Sequence, residues 1–148
     1  MGLFKNKAVT EAKELIYSVL LNCDMTSIKG VRWEIDSDKD SVFFRCDEDN
    51  FSQGLKRYLG YGDYYGSIMF LYNTKERYLV ADIYYGEPIR TYAELNTNAE
   101  FAKTVFDFDI TVTNCEHAPN VHISKIISPN SLQAELEKLI LMVGTMIE

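Results

Sequence analysis

The sequence predicts an α+β fold: one domain, residues 1–148, with an antiparallel sheet built from hairpins and packed by an N-terminal and a C-terminal helix. Three observations carry this expectation. Apolar residues recur every three or four positions near both ends of the chain, the period changes to two in several stretches between them, and no Ser/Gly/Pro-rich linker or internal repeat divides the sequence. With 148 residues, of which 47% are hydrophobic and 25% charged, the chain is large enough to bury roughly two thirds of its unfolded surface. Collagenous, low-complexity and disordered classes are excluded.

From the N-terminus, Ala8, Val9, Ala12, Leu15, Ile16, Val19 and Leu20 form one stripe of a helix from about Lys7 to Leu21, with Asn6 as its N-cap. The period then becomes two. Val31, Trp33 and Ile35 alternate with Arg32, Glu34 and Asp36, and Val42, Phe44 and Cys46 alternate with Phe43, Arg45 and Asp47, which predicts a hairpin turning at Ser37–Asp40. Phe51, Leu55, Tyr58 and Leu59 fit a short helix. Gly60, Gly62 and Gly66 mark a loop. A second hairpin pairs Ser67–Tyr72 with Arg77–Tyr85 across Asn73–Glu76, and Gly86-Glu87-Pro88 ends it, because proline cannot donate to a ladder.

Residues from Ile89 to Phe106 carry helical spacing that predicts one or two helices, with an interruption at Asn96-Thr97-Asn98 where Thr97 or Asn98 can cap a second piece. Phe106, Phe108, Ile110 and Val112 alternate with Asp107, Asp109, Thr111 and Thr113 as a half-buried strand, and a further strand runs from Val121 to Ile127. Pro129, a capping box Asn130-x-x-Gln133 and the stripe Leu132, Leu136, Leu139, Ile140, Val143 and Ile147 define the last helix. This order of elements resembles the secretion-chaperone-like and YbjN-like α+β folds, in which helices at both ends embrace an antiparallel sheet. No motif accompanies the likeness, so it implies the fold alone.

Charge and cysteines bound the function. Fifteen Lys and Arg against twenty-two Asp and Glu give a formal net charge of -7, and no local basic stripe offers a footprint for nucleic acid. Cys23, Cys46 and Cys115 are odd in number and widely spaced, which suits free thiols in a reducing cytoplasm. The first residues lack the apolar core of a signal peptide, Asn6 stands where a myristoylation motif wants Ser or Thr, and no eighteen apolar residues run together to span a bilayer.

Candidate sites are few. Asp36, Asp38, Asp40 and Asp47 have spacing like that of an EF-hand loop, but Ser41 replaces the required glycine and the flanks alternate as strands, so a hairpin turn is expected. Cys115, His117 and His122 have only Glu116 as a candidate fourth zinc ligand, so exposed loop side chains are expected, and no third group orients Cys115 and His117 as nucleophile and base. Asp107 and Asp109 read as the polar side of a strand. Gly60-Tyr61-Gly62 is followed by a strand, so it does not make a phosphate loop. The expectation is therefore no catalytic residue, no metal and no cofactor.

Tyrosine is the anomaly. Nine of the ten tyrosines fall within the 35 residues from Tyr58 to Tyr92. Tyrosine combines large contact area with a polar tip and suits binding surfaces. On the strand from Arg77 to Tyr85, Tyr78, Val80, Asp82 and Tyr84 oppose Leu79, Ala81 and Ile83, so both faces carry apolar weight. The first must be covered by the helix from Ile89 to Val105, the Tyr61–Tyr65 loop or a partner. The binding residues predicted are Tyr61, Tyr64, Tyr65, Tyr78, Asp82 and Tyr84. Leu141, Met142 and Met146 lie off the main stripe of the last helix and suggest an apolar surface for a homodimer or partner.

Together these readings predict a cytoplasmic binding protein that masks a protein partner with a basic surface, as an immunity protein, a phage anti-defence inhibitor or a secretion-type chaperone does. The alternative is a small-molecule binder or enzyme with a Tyr-lined pocket for a nucleotide-like ligand.

Overall fold

Helices stand at both ends of the chain, with strands and a further helix between them. The computed structural model describes residues 7–23, 28, 31–47, 50–51, 55, 59, 66–85, 91–114 and 119–147. Helix α1 (Lys7–Leu21) is followed by β1 (Glu34–Ser37), β2 (Ser41–Asp47), β3 (Ser67–Asn73) and β4 (Tyr78–Tyr84). Helix α2 (Tyr92–Val105), β5 (Asp109–Thr113), β6 (Asn120–Ile126), a 3-10 turn (Pro129–Ser131) and α3 (Leu132–Ile147) complete the order. The strands form one six-stranded sheet in the order β1-β2-β3-β4-β6-β5, every pair antiparallel. The fold is α+β, as the sequence predicts.

The core lies between the helices and one face of this sheet. Register aligns Ile35, Phe44, Phe70, Ala81, Ile123 and Ile110 in a single apolar row from β1 to β5. Val9, Ala12, Ile16 and Leu20 of α1, Leu95, Ala99 and Ala102 of α2, and Leu136, Leu139 and Val143 of α3 join the same cluster, as do the helical Leu55 and Leu59. Trp33 closes one end, its ring 5.6 Å from that of Phe70. Burying a side chain such as Leu or Phe contributes about 1.5–3 kcal/mol, so this row and its helical cover hold most of the folding free energy.

Hydrogen bonds fix the ends. Tyr85, buried just beyond β4, donates its hydroxyl to Met146 O at 2.6 Å, satisfying one of the carbonyls left over at the end of α3. The tips of the two hairpins are tied together: Thr74 N and Oγ1 donate to Asp40 O at 2.7 and 2.8 Å, and Asn73 Nδ2 donates to Ser41 Oγ at 3.0 Å. Asp38 Oδ1 accepts from the amides of Asp40 and Ser41 at 3.0 and 2.8 Å, which makes the Asp-rich stretch the expected hairpin turn.

Several expectations need correction. Of the one or two helices expected before β5 the described residues form one, continuous through the expected interruption at Asn96-Thr97-Asn98. Its N-cap is Thr91, whose hydroxyl accepts from Glu94 N at 3.1 Å. Thr97 is accommodated inside the helix by donating to Ala93 O, and Asn98 Nδ2 reaches Thr145 O of α3 at 3.5 Å. The predicted box at Asn130 and Gln133 gives way to a 3-10 turn beginning at Pro129, and Gln133 bonds forward to Glu137.

Met142 and Met146 are fully buried against the sheet, because α3 is apolar around most of its circumference; only Leu141 of the predicted contact trio is exposed. The first strand starts at Glu34, not at Val31, and the β3–β4 turn runs one residue later than expected, with Arg77 in the left-handed region at φ 60°. Asn6, the other residues of the expected short helix between Phe51 and Leu59, the expected loop at Gly60–Tyr65 and Gly86-Glu87-Pro88 lie outside the described residues.

Candidate functional site

Side chains one residue apart on a strand point to opposite faces, so a second set of rows looks away from the helices. One of them runs Asp36, Phe43, Leu71, Val80, Ser124 and Asp109 from β1 to β5. Carboxylates stand at both ends of this row and apolar side chains at its centre. The neighbouring row is Glu34, Arg45, Met69, Asp82, His122 and Thr111. Tyr84 pairs with Ser67 and Asn120 on one side of these rows, and Tyr78 with Asn73 and Ile126 on the other.

Phe43, Met69 and Leu71 are half-buried, Tyr78 and Tyr84 are 36% and 40% exposed, and Ile126 is 75% exposed. Val80 is buried but belongs to this face and not to the helix-side core. At the β1 end the face is hollowed by a depression of about 180 Å³ walled by Glu34, Asp36, Phe43, Arg45 and Met69.

The charges of the face are predominantly negative. Glu34, Asp36, Asp47, Asp82 and Asp109 stand against the guanidinium of Arg45 and the imidazole of His122. Arg45 is shared between Glu34 at 3.6 Å and Asp47 at 3.3 Å. His122 Nδ1 lies 2.6 Å from Asp82 Oδ1; a carboxylate only accepts, so Nδ1 carries the proton. The acid is the more buried partner, its side chain 15% exposed against 48% for the imidazole.

Of the six predicted binding residues, Tyr78, Asp82 and Tyr84 are brought together on this face, while Tyr61, Tyr64 and Tyr65 lie outside the described residues. The tyrosine cluster divides, since Tyr72 and Tyr85 are core residues at 1% and 4% exposure. Helix α2 does not cover Tyr78 and Tyr84, because its buried side chains join the core on the opposite face. Phe43, Met69 and Leu71 were missed. The signal for Met69 and Leu71 was the unbroken apolar run from Ile68 to Tyr72, and for Phe43 the run Val42-Phe43-Phe44; each marks a strand with weight on both faces.

No group of three or more His, Cys, Asp or Glu placed to hold a metal ion occurs among the described residues. Cys115 and His117 lie outside them. Burial pushes the Cys46 thiol up to about 12, with Asp47 and Glu34 adding to the effect, so this cysteine is a protonated, unreactive core residue. No helix among the described residues is long and apolar enough to cross a membrane. Comparison with protein-family models, with curated proteins and with solved structures finds no match.

Proposed function

We propose that this chain is a binding protein that masks a partner protein with the open face of its sheet. The partner surface it fits is apolar at the centre and basic around it. The observation that carries the reading is the row from Asp36 to Asp109: half-buried Phe43 and Leu71 beside the buried Val80, on the side of the sheet that no described helix covers, ended by carboxylates. An apolar patch with a charged rim is the usual anatomy of a protein interface, and opposed charge steers association and fixes register. Tyr78 and Tyr84 are the anchors, since each presents a large ring and a polar tip at low cost in conformational entropy. A small acidic protein acting in this way fits the immunity, anti-defence or secretion-chaperone classes.

The test is capture from the native cell extract on immobilised parent protein, compared with Tyr84→Ala, Leu71→Asp and, on the helix side, Leu141→Asp. A partner held by the parent and by Leu141→Asp, lost on Leu71→Asp and weakened by about 2 kcal/mol in Tyr84→Ala, supports the reading. Its affinity should also fall with added salt. Equal capture by all four proteins refutes it.

A further inference from the structure

Tyr72 presents an unsolved polar group on the helix side of the sheet. The residue is 1% exposed, and its hydroxyl is buried without a hydrogen-bond partner among the described residues. Such orphaned groups are rare in folded proteins and cost about 1–3 kcal/mol, which marks a place where a partner belongs. The residue lines a cavity of about 180 Å³ between α1, the turn after β3 and the start of α3.

The walls are Ala8, Ala12 and Leu15 of α1 with Pro129 and Leu132 opposite. The two alanines leave open the space that larger side chains would fill. Thr74 also lines the cavity, but its hydroxyl is committed to Asp40 O. Glu11 lines it too, and its carboxylate disfavours an anion there. Burial raises the Tyr72 phenol above its ordinary value, with the charge of Arg77 opposing, so the hydroxyl stays protonated and can both donate and accept. An apolar cavity of about 150 Å³ holds benzene, so this one admits a single ring with a polar substituent.

We infer that the cavity beside Tyr72 is a binding site for a small uncharged molecule, one ring or its aliphatic equivalent bearing a single hydroxyl or carbonyl, whose polar atom completes the Tyr72 hydrogen bond. The site lies on the face opposite the proposed masking surface and stands or falls independently of it.

Titration of isotope-labelled protein with phenol, followed by NMR, tests this, with toluene as a ring of like size without the hydroxyl. Phenol should bind saturably, shift amides at Ala12, Leu15, Thr74 and Leu132, and outbind toluene about fivefold, the ratio given by roughly one net hydrogen bond. Tyr72→Phe should bring the two probes within about twofold of each other, and Ala8→Trp, at an exposed helix position, should abolish both. The phenol-to-toluene ratio on the parent and the Ala8→Trp result remain decisive if Tyr72→Phe does not fold. Absence of saturation, shifts mapping elsewhere, equal affinities on the parent or an unchanged preference in Tyr72→Phe would overturn the inference and leave a trapped water as the hydroxyl's partner.

Discussion

Two adjacent rows of the same sheet differ by one residue along every strand. Ile35, Phe44, Phe70, Ala81, Ile123 and Ile110 are apolar from edge to edge and lie under three helices. Asp36, Phe43, Leu71, Val80, Ser124 and Asp109 are apolar only at the centre, and no helix among the described residues joins them. A one-residue shift exchanges the faces of a strand, so the contrast reflects side-chain pattern and not backbone geometry. The lesson is that apolar content alone does not separate folding from recognition in this chain. What separates them is the charge at the ends of the row and the layer packed above it.

Stability should divide along the same line. Phe70→Ala is expected to cost about 3–5 kcal/mol, because it leaves a cavity in a core that does not collapse, whereas Leu71→Ala, the next residue, should cost about 1 kcal/mol. Urea denaturation checks both as a change in midpoint at constant slope. Equal costs would mean that the outer row is a second core, and the distinction drawn between the faces would fail.

A second adjacent pair sharpens the point. Tyr84 is 40% exposed on the open face, while Tyr85 is buried and bonded to Met146 O. Tyr85→Phe should destabilise by about 1–2 kcal/mol by leaving a buried carbonyl short of a donor, and Tyr84→Phe should be close to neutral. The measurement is the same denaturation series, and a larger loss for Tyr84→Phe would reverse the assignment of the two rings.

Much of this was legible in the sequence. The limits of α1, both hairpins and both faces of β4 follow from period and turn chemistry, since local propensity and burial agree there. Tertiary packing overrode the local signals elsewhere. Asn96-Thr97-Asn98 looks like a break until the contact of Asn98 with α3 is known, and Met142 and Met146 look like a surface until α3 is seen buried on most sides. The site was only half legible. Tyr78, Asp82 and Tyr84 share a strand and were readable by alternation, but Phe43 and His122 reach the face through register between strands far apart in sequence.

The helix-covered side also contains a small ion-pair network that should titrate. Lys125 of β6 lies 2.9 Å from Glu135 of α3 and 5.2 Å from the centre of the Phe108 ring, and Lys138 adds a second contact to Glu135 at 3.4 Å. Burial acts to raise the Glu135 carboxyl, but hydrogen bonds and charge from Lys125 and then Lys138 outweigh it and hold the group below its ordinary value. The stability it supplies is therefore complete above the ordinary value of 4.5 and is lost as pH falls through the lowered folded value. Glu135→Gln should cost about 1–2 kcal/mol at neutral pH and flatten the acid limb of the stability curve. An acid limb identical to that of the parent would assign the acid sensitivity to other carboxylates.

On the open face the corresponding pair, Asp82 with His122, should behave differently. It is short, but the imidazole is 48% exposed, and pairs open to water recover little net energy because solvent screens them and two side chains are immobilised. A double-mutant cycle of Asp82→Ala and His122→Ala should give a coupling below about 1 kcal/mol in folding stability, smaller again at high salt. Under the proposed function the same two variants should still weaken partner capture, because Asp82 sits beside Met69 and between the anchors Tyr78 and Tyr84 on β4. The two readouts separate the roles: a folding coupling of several kcal/mol, with capture unaffected, would make the pair a fastening of the sheet and remove it from the recognition surface.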